Sequence, residues 1–202
     1  MHLIFIGYPG SGKGTVAKQL ATTHTQISTG DLLRAEIASG SKLGKEIDAV
    51  ISSGNLVNDE MALALIQANF DPAKSYIFDG FPRTLRQAQM LNELVLKGHK
   101  FKAVYFEIDK GLLTDRIVNR RSCPKCGEIY NLKFMPPKVS DTCNTCGTKG
   151  LTHRKDDTIE VLSTRLAVFE KTGGEILNFY KDNLITVDGN SGADLIIEKI
   201  KD

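Results

Sequence analysis

The segment Gly7-Tyr8-Pro9-Gly10-Ser11-Gly12-Lys13-Gly14-Thr15 follows directly on the apolar run Leu3–Ile6. A buried strand feeding a glycine-rich turn that ends in lysine is the setting of a phosphate-binding loop. The glycines let successive backbone N–H groups turn inward around an anion with no Cβ in the way. A helix starting near Gly12 aims the positive end of its dipole at the same point. Lys13 adds a mobile charge for the outer phosphates. The general pattern puts a hydroxyl directly after the lysine to ligate magnesium; here Gly14 takes that place and Thr15 comes one later. The expected Mg²⁺ is therefore held largely by the nucleotide and by water, which this ion tolerates.

A second constellation is metal-like. Cys123 and Cys126 form one C-x-x-C pair, and after sixteen intervening residues Cys143 and Cys146 form another, each followed by glycine (Gly127 and Gly147). That is the layout of a structural zinc site, and it uses every cysteine in the chain, leaving no position open for substrate. Two disulfides are the competing reading, disfavoured in a cytosolic chain. Structural Zn²⁺ would supply the folding energy that a flap of about 30 residues lacks from its own core.

The bulk properties are those of an ordinary globular chain. It has 202 residues, 41% of them apolar and 25% charged, with a net charge of +2. The length fits one domain with insertions. The near-neutral charge predicts no nucleic-acid or membrane partner, and no apolar run approaches a transmembrane span. With no signal-peptide layout at the N-terminus, a cytoplasmic monomer is the expectation. Eighteen lysines are scattered, whereas several of the eight arginines sit inside or beside motifs. Arginine so placed suits fork-shaped contacts to phosphate oxygens.

Strand and helix patterns alternate. Strands are expected at Leu3–Ile6, Tyr76–Phe78, Ala103–Ile108 and Leu184–Val187. Helices are expected at Gly12–Thr23, Thr29–Ser39, Leu43–Ser53, Asn58–Phe70 (capped by Asn58 or Asp59), Leu85–Lys97, Gly111–Arg121 and Ala193–Ile200. Two more, Asp156–Lys171 and Glu175–Asn183, are expected to be separated by a break at Gly173-Gly174. This rhythm predicts an α/β fold with a parallel sheet flanked by helices, interrupted by a cysteine-bearing insertion over residues 122–153.

Six motifs occur in order. They are Gly7–Thr15, Ser28-Thr29-Gly30-Asp31-Leu32-Leu33-Arg34, Leu56-Val57-Asn58-Asp59-Glu60, Asp79-Gly80-Phe81-Pro82-Arg83, Asp115-Arg116-Ile117-Val118-Asn119-Arg120-Arg121 and Arg154-Lys155-Asp156-Asp157. Through them the chain resembles the adenylate kinase family, in its bacterial-type form with a long zinc-bearing lid, over essentially its whole length. The resemblance implies a P-loop three-layer fold and the reaction ATP + AMP ⇌ 2 ADP with Mg²⁺. It implies a core of residues 1–27, 58–118 and 158–202, a helical acceptor-binding insertion at 28–57 and a lid at 119–157.

The resemblance also implies roles. Gly10, Ser11, Gly12, Lys13, Gly14 and Thr15 bind the donor triphosphate. Arg120 lies on the donor phosphates and Arg116 against the donor base, with Ile129, Tyr130 and Ser191 nearby. Thr29, Arg34, Asn55, Leu56, Val57, Gly80, Phe81, Pro82, Arg83 and Gln87 serve AMP. Arg154 and Arg165 span both phosphate chains, and Asp79 anchors magnesium-bound waters. Of Asp156 and Asp157, one is expected to favour the helix N-terminus and the other to orient lid arginines. Tyr8, Asn58 and Ser191 depart from the family's commoner residues. Three rival readings remain: a UMP- or CMP-type kinase, a zinc-ribbon nucleic-acid module on a nucleotide switch, and a GTPase-like switch.

Overall fold

The fold is given by a computed structural model that describes residues 1–201. Five parallel strands form the central sheet: β1 (His2–Gly7), β2 (Thr25–Ser28), β3 (Tyr76–Asp79), β4 (Phe101–Glu107) and β7 (Leu184–Asp188), in the order β2-β3-β1-β4-β7. β1 lies at the centre, with Leu3 opposite Ile77 on one side and Ile4 opposite Ala103 on the other. Its apolar run is continuous because both faces are covered. Leu3 and Phe5 pack with Val16 and Ala17 of α1 (Lys13–Gln19) and with Ile196 and Ile200 of α8 (Ala193–Lys201). Ile4 and Ile6 face the opposite layer, with Leu63 and Ile66 of α4 (Asp59–Ala68), Leu91 of α5 (Leu85–Leu94) and Ile176 of α7 (Ile159–Phe179). The result is the expected three-layer P-loop architecture.

The structure departs from the sequence reading at several elements. The sequence pattern does not signal β2, whose four residues bury only Ile27. α1 stops at Gln19 rather than Thr23, and α5 at Leu94 rather than Lys97. The expected helix over Gly111–Arg121 is a 3₁₀ turn (Lys110–Leu112) leading into α6 (Leu113–Val118), with Arg120 passing into strand β5 (Arg120–Ser122). Gly173-Gly174 does not break α7, which runs unbroken for 21 residues. Gly173 lies under the Phe169 ring, where a Cβ would sit 3.0 Å from it. Ile176 and Tyr180 beyond it are buried in the core, and the Tyr180 hydroxyl donates to Ala88 O at 3.3 Å. This packing outweighs the roughly 1 kcal/mol that each glycine costs a helix.

Two segments leave the sheet's layers. Between β2 and α4, α2 (Thr29–Ala38) and α3 (Lys42–Ile51) pack against each other. Gly44 permits the close approach, since a Cβ there would lie 2.3 Å from Glu36 O. Asn58 then caps α4, accepting from the Glu60 and Met61 N–H groups. Between α6 and α7, β5 pairs antiparallel with β6 (Ile129–Asn131), and the cysteine-bearing loops extend from this hairpin.

One polar group is held inside the sheet's lower end. His2 is 3% exposed, and its Nδ1 accepts from the Tyr76 N–H at 3.2 Å amid the rings of Phe70, Tyr76, Phe78 and His99. Burial, aided by the nearby His99, the N-terminal amine and His24, lowers its pKa to about 4. The unfolded chain then takes up a proton near pH 6.5 that the folded protein refuses. Stability is therefore full above about pH 6.5 and falls as the pH drops toward 4, by about 3 kcal/mol from this residue. His2→Asn keeps the acceptor and removes the titration. Melting curves between pH 7 and 4 should show a shallower decline for the variant than for the parent.

Candidate active site

The glycine-rich turn sits at the C-terminal end of β1, with Gly10 (φ 82°) and Gly12 (φ 97°) in left-handed conformations that other residues rarely adopt. The Lys13 ammonium folds back into the loop, donating to Gly7 O (2.9 Å), Tyr8 O (2.7 Å) and Ser11 Oγ (3.0 Å). Burial lowers its pKa to about 8, with Asp79 opposing the shift and Arg83, Arg165 and Arg120 adding to it. Asp79 ends β3 and accepts from Gln26 Nε2 at 2.9 Å. A Cβ on Gly14 would lie 3.7 Å from this carboxylate and 3.4 Å from Ile129 Cδ1. The hairpin thus comes down close to the loop at Gly14, and the Lys18–Glu128 pair at 3.6 Å ties it to α1. Tyr8 turns away, its ring packed 4.5 Å from that of Phe169.

A cavity of about 600 Å³ opens from this loop. Lining it are all six residues Gly10 to Thr15, together with Asp79, Gly80, Pro82, Ile129, Tyr130, Ser191 and Leu56. Six of the eight arginines also line it: Arg34, Arg83, Arg116, Arg120, Arg154 and Arg165. A smaller adjoining cavity of about 30 Å³ shares Leu56, Gly80 and Arg83 and adds Thr29, Asn55, Val57, Phe81 and Gln87. The Thr29 hydroxyl is buried there with no hydrogen-bond partner. Every nucleotide-site residue picked from the sequence therefore borders one of two adjoining spaces. The two remaining arginines stay outside: Arg86 pairs with Glu60 on the surface, and Arg121 donates to Val118 O and Arg120 O.

Carboxylates hold the guanidinium groups in place. Arg120 makes a two-pronged pair with Asp157, its Nε 2.7 Å from Oδ2 and its Nη2 bonded to Oδ1. Asp157 is 0% exposed. Asp156 takes Arg165 at 3.2 Å and Arg34 at 3.7 Å, and Asp31 takes Arg34 at 2.7 Å and Arg154 at 3.5 Å. Thr158 caps α7, so both Asp156 and Asp157 orient arginines, where the sequence reading gave one of them to the helix end. Arg116 is fixed by backbone instead, donating to Gly189 O (3.0 Å) and Gly10 O (3.4 Å). Burial, then crowding by neighbouring arginines, lowers Arg154 and Arg165 to about 10. The concentrated positive charge is suited to anions. Asp31 and Gln26, with Asp59, are functional candidates that the sequence reading assigned no role; only their position beside Arg34, Asp79 and Gln87 marks them.

Removing Asp157 should strand a buried charge. Asp157→Ala is expected to lose about 3–5 kcal/mol, lowering the melting temperature by roughly 10 °C. Thermal shift should show the deficit narrowing in saturating MgATP, whose phosphates replace the lost carboxylate.

The four cysteine Sγ atoms lie within 4.8 Å of one another, with Cys123–Cys146 and Cys126–Cys143 each at 3.5 Å. A tetrahedral Zn–S₄ centre with bonds of about 2.3 Å sets its sulfurs about 3.8 Å apart, so the donor set fits that metal. Gly127 and Gly147 take left-handed φ values of 69° and 71° and donate back to Cys123 O and Cys143 O, closing the two knuckles. His153 is not part of the cluster.

A glycine cradle at the end of a central parallel strand, faced by clustered guanidinium groups, defines a P-loop phosphotransferase. A family model described as adenylate kinase matches residues 5–185. The chain is 40% identical to an adenylate kinase of Fervidobacterium nodosum, covering 98% of this chain and 94% of that protein. It is 38% identical to the adenylate kinases of Thermosipho melanesiensis (99% and 97% covered) and Nitrosococcus oceani (99% and 96%). The chain belongs to the adenylate kinase family. No helix among the described residues is long and apolar enough to cross a membrane.

Proposed function

We propose that the protein catalyses reversible phosphoryl transfer, ATP + AMP ⇌ 2 ADP, that the cavity of about 600 Å³ takes both phosphate chains, and that the smaller adjoining cavity marks where the acceptor base enters. The observation that carries this reading is the convergence of Lys13 and six arginines on the one cavity that opens from the glycine cradle. Phosphoryl transfer asks little covalent chemistry of a protein; it needs alignment, charge neutralisation and exclusion of water. Gly10 to Thr15 hold the donor phosphates through backbone N–H groups, and Lys13 leaves its loop carbonyls to follow the transferring group. Arg120, Arg154 and Arg165 face that group, Arg83 and Arg34 hold the acceptor phosphate, and Arg116 lies along the donor base. Asp79 would hold the water around a bound magnesium, and the ion would supply charge neutralisation on the donor phosphates. The acceptor base enters beside Thr29 and Gln87, and the orphaned Thr29 hydroxyl supports a polar ligand there.

The covers are residues 28–57 and 119–157, closing on a core of 1–27, 58–118 and 158–202, and motion in such lids commonly sets the turnover rate. Zn²⁺ on Cys123, Cys126, Cys143 and Cys146 fixes the lid's shape and takes no part in the reaction. ATP, AMP and ADP are the partners of a monomer. The test is ADP formation from MgATP with AMP, UMP, CMP and GMP. AMP should lead by at least about 100-fold. Transfer to UMP or CMP in preference would make it a pyrimidine nucleotide kinase, and no transfer to any acceptor would end the proposal.

A further inference from the structure

We infer that Asp59 is a positioning residue for acceptor-base selectivity: it locks the side-chain amide of Gln87 in one orientation, and that orientation selects a 6-amino over a 6-oxo purine. The inference rests on the reading that Gln87 meets the acceptor base. Gln87 is 2% exposed and lines the smaller cavity. Its Nε2 donates to Asp59 Oδ1 at 2.8 Å, and its Oε1 accepts the Arg83 N–H at 2.7 Å. A carboxylate only accepts and a backbone N–H only donates, so the pair forbids the amide flip that a glutamine otherwise makes freely. Thr84 steadies the arrangement, accepting from the Gln87 N–H at 3.1 Å with its hydroxyl 3.4 Å from Asp59 Oδ2.

Each amide end still has one site left: a second N–H and a second lone pair. Facing the cavity they form an acceptor–donor edge in fixed order. Adenine offers the matching exocyclic N–H donor and ring-nitrogen acceptor. Hypoxanthine and guanine offer the reverse, a carbonyl oxygen beside a ring N–H. A phosphate anchored at Arg83 sets which face of the base meets Gln87, so the reversed edge finds no partner. Buried polar groups left unpaired in this way are what make hydrogen-bonded sites discriminating. Arg83 thus links the two ends of the acceptor, its guanidinium toward the phosphate and its backbone N–H holding the residue that reads the base.

The experiment compares kcat/KM for AMP and IMP, with saturating MgATP, in the parent, Asp59→Asn and Asp59→Ala. Asp59 is half-buried at the start of α4, which keeps its Asn58 cap, so both variants retain the helix. The preference for AMP over IMP should narrow by about tenfold or more in both variants, with KM for MgATP unchanged. A parent that prefers AMP, beside folded variants whose preference stays within twofold of it, overturns the role of Asp59 and leaves the reaction standing. A parent that transfers to neither monophosphate overturns the proposed reaction, and this inference with it. Loss of AMP and IMP turnover in equal proportion marks a purely structural role and likewise overturns the inference.

Discussion

Lys13→Met will lower kcat by about 10³-fold and leave the melting temperature within a few degrees. The two consequences separate because the lysine's present partners are weak claims on the fold. Its ammonium rests on two loop carbonyls and the Ser11 hydroxyl, and methionine fills the same stem without a charge. What is lost is a positive charge beside phosphate oxygens as the bond to the leaving group lengthens, an interaction that belongs to the transition state more than to the bound substrate. KM for MgATP should therefore change much less than kcat. The pKa of about 8 adds a pH signature. Below pH 8 the free protein carries the charged amine; above it the amine loses its proton and kcat/KM for MgATP falls. Once triphosphate is bound the charge is favoured again, so kcat holds to higher pH. The Met variant should lack this alkaline fall. A wild-type profile flat from pH 7 to 10 would contradict the buried-amine account.

Cys143→Ser should have the second-largest effect, because Cys143 is 1% exposed and sits in the small buried cluster of the cysteine-bearing insertion. Structural zinc sites carry apparent binding energies of roughly 10–16 kcal/mol, and one hydroxyl in place of a thiolate forfeits much of that. Bound zinc should drop from one equivalent to a small fraction, and the melting temperature by roughly 10 °C. The catalytic consequence travels through short connections. Arg120 is on β5, which pairs with β6, and β6 carries the Ile129 that settles on Gly14. A loosened hairpin misplaces Arg120, and kcat should fall by about 10²-fold. A variant that keeps its metal and its melting temperature would show the cysteine-bearing insertion to be self-supporting.

What the chain reveals without a structure follows from which interactions are local. The phosphate loop was legible because strand, glycines and lysine are contiguous. The cysteine cluster was legible because C-x-x-C spacing forces each knuckle. β2 was not, since a four-residue strand becomes one only by pairing Ile27 opposite Phe78. The unbroken α7 was hidden for the same reason: its glycines look like a stop until Phe169 and the buried Ile176 are in place. The carboxylates that hold the arginines lie at the limit. Asp157 and Arg120 are 37 positions apart, and Asp31 and Arg154 are 123 apart. Nothing in the local pattern says that these acids face inward and are not solvated. Asp59 and Gln87 are likewise joined only by the fold, 28 positions apart.

The pairing of the cavity's guanidinium groups bears on how nucleotide binding answers to salt. Had Arg34, Arg120, Arg154 and Arg165 stood bare, each phosphate arriving would have neutralised an open charge, and affinity would weaken steeply as ionic strength rose. Here the arriving oxygens exchange with carboxylates already in place. The swap alters the net field of the cleft far less than its arginine content suggests, and the affinity for MgATP should be correspondingly tolerant of added electrolyte.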